Sequence, residues 1–66
     1  MTVPKQQLEV DTVVKFKYPS KNIDNAEGTI TKVLANEDAF IIKSDVVDKK
    51  DKETRVKWED INEIVR

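Results

Sequence analysis

VVKFKY (residues 13–18) alternates apolar and polar side chains, and three later stretches do the same: GTITKV (28–33), AFIIKS (39–44) and TRVKW (54–58). A period of two places successive side chains on opposite faces of a β-strand, so each stretch would bury one face and expose the other. Short strands of this kind, separated by turn-forming residues, are typical of small antiparallel domains. The sequence therefore predicts a compact all-β fold.

Length and composition restrict the fold to one domain without covalent or metal cross-links. The chain has 66 residues, no cysteine and no histidine, and its 12 Lys and Arg are balanced by 13 Asp and Glu. Disulfides, Cys or His metal sites and imidazole catalysis are thereby excluded. Near-neutral charge gives no overall attraction to nucleic acid or membrane. We expect a monomer with no cofactor, no metal and no membrane association.

The first residues differ in character from the rest of the chain. MTVPKQQLEV (1–10) contains a proline, two adjacent glutamines and no apolar core of a secretory signal. We predict that residues 1–9 form a flexible or covering segment, that residues 10–66 form the β domain, and that the protein is cytoplasmic.

The second strand is preceded by a stretch rich in turn-forming residues. PSKNIDNAEG (19–28) combines Pro, Ser, Asn, Asp and Gly, which favour turns and loops. We therefore predict a long loop over 19–28, with Gly28 opening the next strand. The apolar residues that follow, Ile30 and Val33, are three apart instead of two, and this offset indicates a β-bulge or a sharp bend between two halves of the sheet.

The second half of the chain contains two further connections. Residues 36–38 lie between two apolar runs and predict a tight hairpin. The charged run DVVDKKDKE (45–53) predicts a solvated loop, or equally the extension of a hairpin. After Trp58, the spacing of Ile61 and Ile64 indicates one helical turn before a short final strand.

This order of elements resembles the SH3-like small barrels. The features that carry the resemblance are the pattern Gly28, Ile30, Val33 after a loop, the following hairpin, and a strand that runs into one helical turn. The chain looks most like the KOW and Tudor type and like short bacterial or phage proteins of the same plan. Over residues 10–66, the resemblance implies a five-stranded SH3-like barrel with one short helical turn before the last strand.

Basic residues are concentrated in the predicted strands. Across 13–18, 29–34, 39–44 and 53–58 there are six bases and one acid, Glu53. The bases and one aromatic near a strand end make up the candidate binding face: Lys15, Lys17, Lys32, Lys43, Arg55, Lys57 and Tyr18. Such a face fits phosphate or an acidic protein surface. The alternative is that these lysines only keep the strands soluble and block edge pairing.

No set of residues in the chain has a recognisable catalytic pattern. The acids at 45, 48 and 51 lack the glycine turn and terminal glutamate of a calcium loop. The sequence therefore predicts a binding module and not an enzyme. The first hypothesis is a protein–protein interaction or adaptor module that uses strand edges and the 19–28 loop. The second is nucleic-acid binding through phosphate contacts on the basic face.

Overall fold

The computed structural model describes residues 3–66 and shows them as one antiparallel sheet of five strands in the order β4-β3-β2-β1-β5. The strands are β1 (Val13–Tyr18), β2 (Ile23–Leu34), β3 (Ala39–Lys43), β4 (Glu53–Lys57) and β5 (Ile61–Ile64). Single 3₁₀ turns are formed by Lys5–Gln7, Pro19–Lys21, Ala35–Glu37 and Trp58–Asp60. The prediction of an all-β fold with five strands and a helical turn before the last one is confirmed.

The sheet has two open edges. β4 pairs only with β3, and β5 pairs only with β1. Within residues 3–66 no hydrogen-bonded ladder joins β4 to β5. The sheet is thus not closed, and the barrel implied by the resemblance goes beyond what this pairing establishes.

One face of the sheet supplies the hydrophobic core, as the alternating pattern predicts. The core consists of Leu8, Val14, Phe16, Ala26, Ile30, Phe40, Ile42, Val56 and Ile61. Leu8 comes from the segment before β1 and is only 3% exposed. Part of the N-terminal segment therefore covers the core, whereas residues 1 and 2 lie outside the described part of the chain.

β2 is longer than the sequence indicates, and the prediction of a loop over 19–28 is wrong. Only the 3₁₀ turn Pro19–Lys21 and Asn22 connect β1 to β2, which begins at Ile23. β2 pairs with β1 at Tyr18–Ile23 and, after a register shift, from Phe16–Ala26 to Val13–Thr29. The turn-forming residues at 24 and 25 are exposed and lie in the register shift between these pairs, so the pairs on either side outweigh their local preference.

Gly28 lies inside β2 and does not open it. A Cβ at this position would lie 2.6 Å from Cγ2 of Ile42 and 2.8 Å from the carbonyl oxygen of Lys43. Glycine is therefore required by the close approach of β3. The predicted bulge is confirmed, because the register of β2 against β3 shifts between Ile30 and Lys32.

The connection between β3 and β4 is only partly solvated. Val47 is 0% exposed, although the sequence predicts a solvated loop over 45–53. Just before it, the buried hydroxyl of Ser44 donates a 2.6 Å hydrogen bond to the carbonyl oxygen of Glu27. These contacts attach the start of the loop to the sheet.

Candidate binding surface

The six predicted bases are distributed over four neighbouring strands of the sheet. Two lie on β1, one each on β2 and β3, and two on β4: Lys15, Lys17, Lys32, Lys43, Arg55 and Lys57. β2 and β3 separate β1 from β4 in the sheet. The bases of β1 and β4 are therefore not neighbours through strand pairing.

Acidic residues from neighbouring elements interrupt the basic surface. Lys15 lies opposite Glu27 on one side and Glu63 on the other, with its Nζ 3.7 Å from Oε1 of Glu63. Arg55 Nε donates a 2.9 Å hydrogen bond to Glu37. All of these side chains are partly or largely exposed, so each pair contributes little to stability. Their effect is to reduce the local positive charge.

A groove lies between the end of β1 and the outer edge of β4. It has a volume of about 290 Å³. Its lining is Lys17, Tyr18, Pro19, Ser20, Thr54, Arg55, Val56, Lys57, Glu59 and Asp60. We call it the β1–β4 groove. It brings together four of the seven predicted site residues, whereas Lys15, Lys32 and Lys43 do not line it.

Tyr18 gives the β1–β4 groove an aromatic wall. The Tyr18 ring packs edge-on against Phe16, with the centroids 6.3 Å apart and the planes at 74°. This arrangement is favourable for two aromatic rings. Because Phe16 is in the core and Tyr18 is half-buried, the ring is held in place while part of it lines the groove.

The backbone of β4 supplies unpaired polar groups along the same groove. Hydrogen bonds from Ser44 N to Lys52 O and from Trp58 N to Asp38 O flank the β3–β4 ladder. In an antiparallel ladder every second residue bonds to the partner strand. With this register, the N–H and C=O groups of Arg55 and Lys57 point away from β3.

A second depression lies on the exposed face of the sheet beside β4. It has a volume of about 470 Å³. Its lining is Thr31, Lys32, Ile41, Lys49, Asp51, Glu53, Thr54 and Arg55. Within it, the Thr31 hydroxyl donates a 2.9 Å hydrogen bond to Oε2 of Glu53. The mixed charges and the small apolar contribution of Ile41 give this depression no distinct chemistry.

Trp58 is engaged by the N-terminal segment, a contact that sequence reasoning missed. Its indole Nε1 donates to the carbonyl oxygen of Val3. Lys5 places its Nζ 4.4 Å from the Trp58 ring centroid and 2.7 Å from Asp38. No periodic signal in residues 1–9 indicates this docking, because it depends on one backbone carbonyl and one lysine.

The described residues show no metal or membrane-spanning feature. Across 3–66 no cluster of three or more His, Cys, Asp or Glu side chains is placed to hold a metal ion. No helix in the same range has the length and apolar character needed to cross a membrane.

Comparison with known proteins found no relative of the chain. No protein-family model matches it, and no curated protein sequence or solved structure matches it.

Proposed function

We propose that the chain is a noncatalytic SH3-like barrel that binds another protein through the β1–β4 groove. Three features support the barrel: the strand order, the single long bulged strand β2 that pairs with both β1 and β3, and the 3₁₀ turn between β4 and β5. A bulge bends a strand and increases its twist, which helps a small sheet to curl.

The observation that supports the binding site most strongly is the convergence of different side chains on one groove. Tyr18 supplies apolar surface, Lys17 and Lys57 supply positive charge, and Glu59 and Asp60 supply negative charge. The outward-pointing backbone groups of β4 lie along the same groove. Such a combination suits an extended polypeptide segment, whose backbone can bond to a strand edge while its side chains enter adjacent pockets.

Nucleic-acid binding is the less well supported alternative. Phosphate binding depends on several uncompensated cations that follow a backbone. Here Lys15 is paired with Glu63 and Arg55 with Glu37, and the remaining bases are divided among four strands. The chain as a whole has a net charge of −1.

A peptide selection followed by NMR mapping tests the proposal. A displayed library of random peptides is selected on the folded protein, and an enriched peptide is titrated into the ¹⁵N-labelled chain. We expect the largest shift changes at Tyr18, Ser20 and Lys57. Lys57→Glu should weaken binding by about tenfold, because an interface charge is replaced by its opposite. Lys43→Glu makes the same charge change outside the groove and should leave the affinity unchanged.

Three results would contradict the proposal. The first is no enrichment of any peptide by the folded protein. The second is a set of shift changes centred outside the groove, or equal effects of the two variants. The third is binding of a labelled single-stranded oligonucleotide that falls steeply with salt and is weakened equally by both variants, which would support the phosphate-binding alternative.

A further inference from the structure

The exposed edge of β4 carries an ordered pattern of charge. The side chains of Glu53, Arg55 and Lys57 share one face of β4, and Asp51 lies in the turn just before the strand. Two negative residues are thus followed by two positive residues at a spacing of two. Asp51, Arg55 and Lys57 are exposed, and Glu53 is partly exposed.

This pattern is complementary to itself when the strand direction is reversed. If two copies are placed antiparallel about a twofold axis at Thr54, Glu53 faces Arg55 of the second copy, and Lys57 extends toward the turn of the second copy that carries Asp51. The axis repeats both contacts, because a twofold interface is formed by the same residues on each side. We propose that two copies of the chain pair through their β4 edges in this register.

The backbone groups needed for the pairing are placed at the correct positions. Arg55 has its N–H and C=O directed away from β3, as the β3–β4 register requires. Glu53 has the same parity, so these two residues can exchange hydrogen bonds across the axis. In the single copy the Glu53 N–H donates to Oδ1 of Asp51 over 3.1 Å. Pairing replaces this bond and leaves Asp51 available to Lys57 of the second copy.

The side chains retain donors and acceptors for the second copy. Arg55 uses Nε to bind Glu37, so its Nη groups remain available for a carboxylate. Glu53 accepts from Thr31 at Oε2, so Oε1 remains available. The Glu53–Arg55 contacts across the axis therefore do not require the contacts of Glu53 with Thr31 or of Arg55 with Glu37 to break.

Other registers are disfavoured by charge. Moving the axis from Thr54 to Arg55 places Arg55 opposite its own copy, and moving it to Val56 places Arg55 opposite Lys57. Like charges directly opposite each other destabilise a strand pair, whereas opposite charges stabilise it. Of these axes, only the one at Thr54 places Glu53 opposite Arg55 on both sides and sets no like charges opposite each other.

This inference goes beyond the proposed binding function, because the partner is a second copy of the same chain. The second strand would lie along the edge of β4, which also lines the β1–β4 groove. Self-pairing and binding of a different protein would then compete. Because β4 has only five residues, the interface is small and the pairing weak. The expected monomer would then predominate, and the dimer would form only at high protein concentration.

Sedimentation equilibrium over a wide concentration range tests the pairing. We expect the wild-type chain to show a monomer–dimer equilibrium. Glu53→Arg and Arg55→Glu should each raise the dimer dissociation constant by about tenfold or more, since each creates two repulsive pairs. An equimolar mixture of these two variants should dimerise again, because every Arg then faces a Glu. The double variant Glu53→Arg, Arg55→Glu should also dimerise.

A matched control and a fold check complete the experiment. Glu63→Arg makes the same charge change on β5 and should leave the equilibrium unchanged. Circular dichroism establishes that each variant is folded, and recovery of the dimer in the mixture does not depend on the stability of either variant alone. The proposal is overturned if the wild type remains monomeric up to its solubility limit, if the mixture stays monomeric, or if assemblies larger than dimers form. Peptide binding to the groove is measured separately, at a protein concentration where the chain is monomeric, so the failure of one proposal is distinguishable from the failure of the other.

Discussion

The indole Nε1 of Trp58 donates a 2.6 Å hydrogen bond to the carbonyl oxygen of Val3, which is 55 residues earlier in the chain. Lys5 lies over the same ring and also contacts Asp38 at the β2–β3 turn. Two residues of the N-terminal segment thus contact two separate turns. Together with the burial of Leu8, this makes the segment a cover over one end of the core.

Trp58→Phe tests this attachment. Phenylalanine keeps most of the apolar contact but cannot donate to Val3, so we expect a loss of about 1 kcal/mol in the free energy of unfolding. Amide exchange at residues 5–8 should accelerate more than exchange in β3. Urea denaturation and hydrogen exchange measure the two effects. Equal acceleration in both regions would indicate that Trp58 does not hold the segment specifically.

Gly28→Ala should destabilise the sheet although alanine is usually acceptable in a strand. The added Cβ would collide with the Ile42 side chain and the Lys43 carbonyl oxygen, and overpacking costs about 1–3 kcal/mol. Thermal unfolding measures the change. Glu27→Ala, at an exposed position beside it, is the control and should have little effect. An unchanged midpoint of thermal unfolding for Gly28→Ala would show that β2 and β3 can move apart to accept the Cβ without loss of stability.

Val47→Ala should lower the free energy of unfolding although Val47 does not belong to any strand. Val47 is fully buried, and removal of two buried carbon groups costs roughly 1.5 kcal/mol at about 0.8 kcal/mol each. The same truncation at the half-buried neighbour Val46 should cost less. Chemical denaturation of both variants makes the comparison. A larger loss for Val46→Ala would contradict the burial order.

Lys52→Gly should stabilise the protein. Lys52 has a φ of 61°, in the left-handed region where a residue with a Cβ is penalised by roughly 1–2 kcal/mol. Glycine removes this penalty but increases the entropy of the unfolded chain, so we expect a net gain of about 0.5–1 kcal/mol. Lys49 does not have a positive φ, so Lys49→Gly should instead be neutral or destabilising. The midpoints of urea unfolding distinguish the two.

The sequence was most informative where burial alone determines structure. Phe16, Ile42 and Val56 are on the inner face because the sheet has one buried side, so a period of two identifies them without knowledge of strand order. The bulge beside Ile30 was also readable, since one extra residue changes the spacing of apolar side chains. The start of β2 was not, because Asp24 and Asn25 favour turns locally, and they belong to the strand only through the pairs on either side of them, Tyr18–Ile23 and Phe16–Ala26.

The candidate site was less predictable because its charges depend on strand pairing. Lys15 appears as part of a basic face when β1 is considered alone, but its cross-strand neighbours are Glu27 and Glu63. The positive charge of Arg55 is likewise compensated by Glu37, which lies in the turn between β2 and β3. The convergence of Tyr18 with β4 depends on how the two ends of the sheet approach each other. No periodicity in one strand contains that information.

The position of β5 beside β1 determines which part of the chain can assemble first. β1 to β4 follow one another as hairpins, so their pairing closes only short loops, whereas β5 must find a strand more than 40 residues earlier, as in the Val14–Ile64 pair. Closing a longer loop has a larger entropic cost, and contacts distant in sequence tend to slow folding. Docking of β5 is therefore expected late in folding. Ile64→Ala would then accelerate unfolding more than it slows refolding.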